Sequence, residues 1–234
     1  KKMTTDVGII QFSKINQPDL ESGYTLDDNA RALIAMCQYF KSSSDLTYIT
    51  DIKKYIAFNK LCSQPDGSFL NYIDKECLFT EQNFEENVDE SNGRAIWALG
   101  YLISFKDFLP KDVLAEAESI FEQAMPHIAI IHSTRAMAFV IKGLYYYHGI
   151  NKTNESIDLV KKLANRLERM FKHESIIKWE WFEGYLTYAN SILPEAMLYA
   201  WILTDNVVYK DIAKTSLQFL LSQIFNKNGI EVIS

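Results

Sequence analysis

The sequence contains little cysteine, glycine or proline, and it lacks long runs of apolar residues. Its 234 residues include three cysteines, nine glycines and five prolines, too few for a disulfide scaffold, a collagen-like chain or a proline-rich linker. No apolar run approaches the roughly 20 residues that a membrane-spanning helix needs. The first residues also show no signal-peptide pattern. We therefore expect no membrane partner and a cytoplasmic protein.

The charge distribution and the cysteine spacing exclude further classes. A net charge of -6 and the lack of any Lys/Arg cluster argue against a nucleic-acid partner. Cys37, Cys62 and Cys77 are odd in number and match no metal or redox spacing, so we expect reduced, structural thiols. Since neither a metal-ligand spacing nor a glycine-rich phosphate loop occurs, we predict no metal and no cofactor.

What the chain does contain is a high proportion of apolar and aromatic residues in helical patterns. Apolar residues make up 48% of the sequence and aromatic residues 13%, which suits a single globular domain over 1–234. Residues 1–26 read as an extended lead-in, because glycine and proline interrupt any longer period. After them, two kinds of helix alternate. Nearly all-apolar helices, which must be buried on every side, are predicted at 28–41, 92–105, 133–147 and 194–203. Helices with one apolar face are predicted at 46–62, after Pro110, at 155–172 and at 208–225.

This alternation predicts an all-α fold of about four hairpins, each an inner helix followed by an outer helix. Two layers of helices suit an α/α toroid, and the main structural alternative is an open solenoid of helix pairs. Long insertions at 63–91 and 173–193 favour the toroid, because solenoid repeats keep a steadier period. A six-hairpin ring would need two more hairpins, so we expect an incomplete toroid in which residues 226–234 begin a further repeat.

Each inner helix begins with a group of polar residues. The same layout occurs at the four predicted inner-helix starts, with Asp27, Asp28, Asn29 and Arg31, then Asp89, Glu90, Asn92 and Arg94, then His132 and Arg135, and finally Asn190 and Glu195. Acids, asparagines and serines are ordinary helix caps. Arginines are not, because a cation in the first turn opposes the helix dipole by about 0.3–1 kcal/mol. We therefore expect the arginines either to pair with carboxylates of a neighbouring hairpin or to hold a polar or anionic ligand.

The long segment 173–193 adds aromatic rings beside further acids. Trp181, Glu183 and Tyr188 lie just before an inner helix. Flat rings next to carboxylates and amides suit a sugar, which offers C–H faces for stacking and hydroxyl groups for hydrogen bonds. The alternative is that these rings only fill the end of the helical barrel.

The alternating helices with acids and rings at the inner-helix starts resemble the six-hairpin (α/α) glycosidase superfamily. Its members include glycoside hydrolases, unsaturated uronyl hydrolases and, in a related toroid, N-acylglucosamine 2-epimerases. The stretch Asp27-Asp28-Asn29-Ala30-Arg31 is also similar to α/α-toroid domains encoded with bacterial glycosyltransferases, which implies a glycosyltransferase partner. The chain matches no complete catalytic signature.

The resemblance implies a carbohydrate-active domain that binds a sugar at the rim of the inner helices. A hydrolase needs two carboxyl groups beside the glycosidic bond, and the candidates are Asp27, Asp28, Asp89, Glu90 and Glu183. His132 is the candidate for an epimerase-type proton transfer. The candidate substrate-binding residues are Tyr24, Asn29, Arg31, Asn92, Arg94, His132, Arg135, Trp181, Tyr188, Asn190 and Glu195. The alternatives are a non-catalytic carbohydrate-binding or accessory domain of a glycosyltransferase system, and a helical-repeat scaffold.

Overall fold

The computed structural model describes residues 2–43, 45–226 and 229–230, and the helices within these ranges match the predicted alternation. The helices are α1 (Leu26–Ser43), α2 (Ile49–Cys62), α3 (Gln82–Glu85), α4 (Asp89–Ile103), α5 (Lys111–Ile128), α6 (Thr134–Ile150), α7 (Asn154–Glu174), α8 (Ile192–Thr204) and α9 (Val207–Ile224). Apart from the four-residue α3, they coincide with the predicted helices to within about one turn. The prediction of an all-α fold is confirmed.

Within the part of the chain that the structure describes, three short antiparallel ladders accompany the helices. The strands β1 (Ser13–Lys14) and β2 (Gln17–Pro18) pair with each other, as do β3 (Tyr24–Thr25) with β4 (Tyr72–Ile73) and β5 (Phe225–Asn226) with β6 (Gly229–Ile230). The lead-in contains β1, β2, β3 and isolated bridges rather than a long helix. Of the expected further repeat at 226–234, residues 227–228 and 231–234 lie outside the described residues.

Burial separates the inner helices from the outer ones. Every residue of α6 from Thr134 to Leu144 is buried, including the charged Arg135 and Lys142, whereas α7 buries a single stripe through Val160, Leu163 and Leu167. The first pattern requires cover on all sides, and the second leaves one face in water. The inner helices are therefore α1, α4, α6 and α8, and the outer helices are α2, α5, α7 and α9.

Glycines set the close approach of α4 and α6. A Cβ atom added to Gly100 would lie 2.2 Å from the carbonyl oxygen of Gly143, and one added to Gly93 would lie 2.7 Å from that of Ala136. Side chains larger than hydrogen would overlap the facing backbone at both places. The two central inner helices consequently pack backbone against backbone, and their N-terminal ends lie side by side.

The inner helices pack in chain order, α1 against α4, α4 against α6, and α6 against α8. Each outer helix packs on the inner helix that precedes it in the chain. Within the described residues, α8 does not pack extensively against α1, so the four hairpins form an arc. The beginnings of neighbouring inner helices share one end of this arc.

Asparagine side chains fix the segment between the first two hairpins onto the inner helices. Asn71 accepts a hydrogen bond from the backbone of Asp27 (3.1 Å), and Asn83 accepts one from the backbone of Tyr72 (2.8 Å). Asn92 of α4 accepts from and donates to the backbone of Phe69, both at 2.8 Å. Because these amides satisfy buried backbone groups, residues 69–72 are held across the starts of α1 and α4.

The structure also describes the cysteine thiols, the candidate membrane spans and the candidate metal ligands. Cys37, Cys62 and Cys77 are free, and burial raises the pKa of the Cys37 thiol to about 12. None of the helices in the described ranges combines the length and the apolar character needed to cross a membrane. Over the same residues, no group of three His, Cys, Asp or Glu side chains is arranged to hold a metal ion.

Candidate functional site

An ion pair between two hairpins brings the starts of α1 and α4 together. The Arg94 guanidinium contacts the Asp27 carboxylate and lies 3.6 Å from the Glu90 carboxylate one turn earlier on α4. Asp27 also accepts from Arg31 at 2.6 Å. Ion pairs therefore explain how arginines are tolerated in the first turns of α1 and α4, where a cation opposes the helix dipole. Their charge is offset by carboxylates, and for Arg94 the closest of these belongs to the neighbouring hairpin.

A cavity of about 570 Å³ opens at this junction, and we call it the rim cavity. Residues from the lead-in, from the segment between α2 and α4, and from the starts of α1, α4 and α6 form its walls. They are Gln11, Phe12, Thr25, Asp27, Asp28, Asn71, Tyr72, Glu86, Asn87, Val88, Glu90, Ser91, Arg94, Ser133 and Tyr188. The walls therefore carry four carboxylates and one guanidinium, together with amides, hydroxyls and three aromatic rings.

Asp28 is the carboxylate of the rim cavity that has the fewest partners. Its Oδ2 atom accepts from the Thr25 hydroxyl at 2.7 Å, and the Asp28 backbone N–H donates to the same hydroxyl oxygen at 3.2 Å. This reciprocal contact resembles a capping box, in which residues three apart close the first turn. In the part of the chain that the structure describes, no cationic side chain pairs with Asp28. Its position is therefore fixed by the helix cap, while its other oxygen remains available.

Glu86 is held by two neutral donors. The Tyr72 hydroxyl donates to one Glu86 oxygen at 2.6 Å and the Gln82 amide donates to the other at 2.8 Å. These hydrogen bonds, first that from Tyr72, lower the pKa of Glu86. On the other side of the pair, partial burial and the neighbouring Glu86 raise the pKa of Tyr72 to about 12. At neutral pH the pair is therefore a carboxylate and a neutral phenol.

Tyr188 reaches the rim cavity from the loop before α8. Its hydroxyl donates to Glu90 at 2.8 Å, while 54% of the residue is exposed. Partial burial and then the hydrogen bond to Glu90 raise the pKa of Tyr188. Arg135 holds the backbone of the same residue, because its Nε donates to the Tyr188 carbonyl at 2.8 Å. A residue of the loop between the third and fourth hairpins thus forms part of a cavity whose walls belong mainly to the first two hairpins.

Arg135 itself belongs to a separate buried cluster beside the rim cavity. Its guanidinium donates to both oxygens of Glu183 (3.0 and 3.1 Å) and to Asn190 (3.2 Å). Both charged side chains are nearly buried, at 5% and 11% exposed. The predicted ion pairing of the arginine is therefore present, and its partners are in the long loop 173–193. Arg135, Glu183 and Asn190 do not line the rim cavity.

A second ion pair joins two inner helices, with Lys142 largely buried and the Glu195 side chain 39% exposed. Lys142 of α6 contacts Glu195 of α8 at 2.8 Å, and its ammonium lies 4.1 Å from the centre of the Trp97 ring. Glu195, a candidate ligand contact, therefore binds another inner helix and does not line the rim cavity. This pair links the last two inner helices.

Several candidate residues have structural roles instead of the expected place in the site. Trp181 is fully buried and packs against Phe182 and Phe219, which corrects the expectation that it lines a sugar site. Tyr24 is buried, bonds to Thr5 and does not line the rim cavity, although it lines a neighbouring smaller cavity.

The two candidate asparagines at the starts of α1 and α4 also bond to backbone. Asn29 accepts from the Ile9 N–H at 2.9 Å and donates to the Thr25 carbonyl at 2.8 Å. Asn92 binds the backbone of Phe69 and Val88. Since both side-chain amides form hydrogen bonds with backbone groups, neither is free to bind a ligand.

Three other candidates lie near the cavity without entering it. Asp89 is half-buried in the first turn of α4, Arg31 is exposed on α1 and His132 is exposed before α6. None of them lines the rim cavity. Of the five candidate catalytic carboxyls, the structure brings together Asp27, Asp28 and Glu90 and leaves out Asp89 and Glu183. Of the candidate binding residues, Arg94 and Tyr188 line the cavity.

Sequence reasoning missed Glu86, Tyr72 and Phe12, all of which line the rim cavity. Glu86 and Tyr72 lie in the insertion 63–91, whose length already indicated a functional segment. Their position was not foreseeable from helical periodicity, because residues outside helices have no period to follow. Phe12 lies in the lead-in and is 60% exposed, so it offers a ring that no core requires.

Comparison with known proteins identifies the fold. Neither a protein-family model nor a curated protein sequence matches this chain. The structure is similar to the crystal structure of D-mannose isomerase, with a TM-score of 0.69 and 13% sequence identity over 97% of this chain and 68% of that chain. The fold is an α/α toroid. At this low identity the similarity concerns the fold alone, and the chemistry has to be argued from the cavity.

Proposed function

We propose that this domain is carbohydrate-active and that it binds a sugar in the rim cavity. The observation that carries the proposal is the convergence of four carboxylates, several amides and three aromatic rings on one cavity of about 570 Å³. Pockets for small molecules typically measure roughly 300–1,000 Å³ and contain a few convergent polar groups. The rim cavity has this size, and its polar groups are unusually numerous.

The groups in the cavity match the chemistry of a sugar. Carboxylates such as Asp28 accept hydrogen bonds from hydroxyl groups, and bonds to a charged acceptor are stronger than neutral ones. The exposed rings of Phe12 and Tyr188 offer apolar faces for the C–H face of a pyranose. A ligand that was apolar throughout would leave the carboxylates desolvated and unpaired, at a high cost.

The charges favour a neutral or cationic sugar over an anionic one. The walls carry four carboxylates against one guanidinium, and Arg94 already contacts Asp27 and Glu90. Arg135 donates to Glu183, Asn190 and the Tyr188 backbone. The expectation that these arginines hold an anionic ligand therefore finds no free donor set in the described residues. A uronic acid would instead meet a net negative wall.

Hydrolysis is the reaction that these carboxylates suit best. It needs one protonated carboxyl beside the leaving oxygen and a second, ionised carboxylate. Glu86 suits the second role, since its two neutral donors lower its pKa. Asp28 is our candidate for the acid, because it lines the rim cavity and its second carboxylate oxygen makes no hydrogen bond in the described residues. The Asp27 carboxylate forms ion pairs with Arg31 and Arg94 and so holds the helices in position.

One observation favours the non-catalytic alternative of a binding or accessory domain. Two of the four carboxylates, Asp27 and Glu90, already contact Arg94, as expected if part of the site only maintains the helix arrangement. An isomerase or epimerase reaction that uses histidine receives no support, because His132 is exposed and outside the cavity. D-mannose isomerase, a protein of similar structure, acts on a sugar according to its name, and this is consistent with a carbohydrate ligand. The cytoplasmic location and the glycosyltransferase partner stay predictions.

A thermal-shift and calorimetry screen tests the binding proposal. Neutral hexoses and their oligosaccharides, amino sugars and uronic acids are compared on the wild type, on Asp28→Asn and on Asp211→Asn. Asp211 is exposed on the outer helix α9 and lines no part of the rim cavity, so it is the matched control. We expect a neutral or amino sugar to raise the melting temperature of the wild type and the control, and to bind Asp28→Asn about tenfold more weakly.

Two results would count against the proposal. Unchanged melting with every sugar would favour the scaffold, and equal binding by Asp28→Asn would place the sugar elsewhere. Catalysis is tested separately with chromogenic glycosides of the sugars that bind. Turnover that is lost in both Asp28→Asn and Glu86→Gln supports the hydrolase, whereas binding without turnover supports the accessory domain.

A further inference from the structure

A second cavity adjoins the rim cavity, and we call it the side cavity. Its volume is about 360 Å³, and most of its walls are formed by Glu21, Ser22, Tyr24, Ile73, Asp74, Thr80, Glu81 and Gln82. Gln11 and Tyr72 line both cavities. The two spaces are therefore neighbours that meet at one aromatic ring and one amide side chain.

A chain of hydrogen bonds connects the polar walls of the two cavities. Gln82 lines the side cavity and donates to Glu86, which lines the rim cavity. Tyr72, which lines both, donates to the same carboxylate. The polar surface is therefore continuous across the junction. A ligand that crosses it would find hydrogen-bonding groups along its whole length.

The side cavity also offers a free acceptor. Glu81 lines it, and its exposed side chain has no hydrogen bond or ion pair in the described ranges. Glu21, by contrast, forms an ion pair with Lys75 at 2.7 Å. The third acid of this cavity, Asp74, accepts hydrogen bonds from the backbone N–H groups of Glu76 (3.0 Å) and Leu78 (2.8 Å). Glu81 is therefore the acid of this cavity that is best placed to accept hydrogen bonds from hydroxyl groups.

We infer that the two cavities together bind a linear neutral oligosaccharide, with at least one sugar ring in each and the chain passing Tyr72. This inference rests on the proposed function and adds the class of substrate. Each volume falls within the roughly 300–1,000 Å³ of small-molecule pockets, so a single sugar ring in the rim cavity leaves the side cavity empty. A ring at the junction suits stacking of the sugar unit that links the two cavities.

The inference is tested by titrating a series of chain lengths. The probes are the mono- to tetrasaccharides of β-1,4-glucan, β-1,4-mannan and α-1,4-glucan, measured by calorimetry. We expect the affinity in the series that binds to rise about tenfold or more from the monosaccharide to the trisaccharide, because added hydrogen bonds and stacking in the side cavity contribute.

Two variants of the same residue type locate the added contacts. Glu81→Ala is expected to weaken binding of the trisaccharide about three- to tenfold and to leave the monosaccharide unchanged. Glu85→Ala is the matched control, because Glu85 is exposed at the end of the short helix α3, which Glu81 immediately precedes, and lines neither cavity. It is expected to bind both sugars like the wild type.

The outcomes separate this inference from the function on which it rests. Sugar binding with equal affinity at every length, or a trisaccharide affinity unaffected by Glu81→Ala, would overturn the inference and leave the rim cavity as a monosaccharide site. Failure of every sugar to bind would overturn the proposed function together with it. Length-dependent binding that is reduced only by Glu81→Ala supports both.

Discussion

Replacing Arg135 with methionine should remove several kcal/mol of stability, because its partner would be left buried without a counter-charge. The Glu183 side chain is only 11% exposed and that of Arg135 only 5%. Arg135 also donates to Asn190 and to the Tyr188 carbonyl. Removing one member of a buried ion pair typically costs about 3–5 kcal/mol. We expect a loss of about that size in the free energy of unfolding, out of a total of about 5–15 kcal/mol for an ordinary domain.

Urea unfolding followed by circular dichroism at neutral pH measures this loss. Arg31→Met is the matched control, because Arg31 forms an ion pair with its side chain 54% exposed, and such pairs contribute about 0–1 kcal/mol. The double variant Arg135→Met/Glu183→Leu should recover much of the stability, since it removes the stranded carboxylate as well. If Arg135→Met loses no more stability than Arg31→Met, the assignment of this cluster as a structural ion pair is refuted.

The remaining predictions concern the helix contact and the Glu86 carboxylate. Gly100→Ala should cost about 1–3 kcal/mol or more in thermal unfolding, because its Cβ would lie 2.2 Å from a backbone oxygen. Gly149→Ala, where nothing lies within 4 Å, should instead be neutral or stabilise α6; equal effects would contradict the close packing of α4 on α6. Tyr72→Phe should raise the lowered pKa of Glu86 toward 4.5, as followed by carbon-13 NMR. In the wild type, the stability contributed by ionised Glu86 is present above about pH 4.5 and is lost as the pH falls through the lowered folded-state pKa. If Glu86 titrates in the variant as it does in the wild type, the hydrogen bond from Tyr72 does not lower its pKa.

The helices could be predicted from the sequence because their buried residues recur with the helical period along the chain. The nearly all-apolar runs at 92–105 and 133–147 had to be covered on every side, and α4 and α6 are the two central inner helices. The one-sided stripe at 155–172 predicted the outer helix α7 for the same reason. These inferences need only residues that are close along the chain.

Partners across the chain were harder to predict. The first-turn arginines indicated ion pairs, yet the pairing of Arg94 with Asp27 and of Arg135 with Glu183 depends on how distant segments pack. For Trp181, the predicted environment of the side chain was wrong. A tryptophan in a loop rich in acids suggests an exposed ring, but this one is fully buried against Phe219. Composition alone does not show which side of a loop faces the core.

The candidate site was predicted in position and only partly in content. Asp27, Asp28, Glu90 and Arg94 lie together as the inner-helix layout implied, since neighbouring inner helices begin at the same end of the arc. Glu86 and Tyr72 come from an irregular segment that asparagine side chains hold in place. Such segments have no repeat from which their geometry can be read.

The most direct test of the proposed sugar site is a crystal structure of the protein with the tightest-binding neutral oligosaccharide from the screen. We predict electron density for a sugar ring in the rim cavity, within hydrogen-bonding distance of Asp28 and Glu86. Density at another surface of the protein, or crystals that take up no sugar at concentrations that saturate binding in solution, would contradict the account.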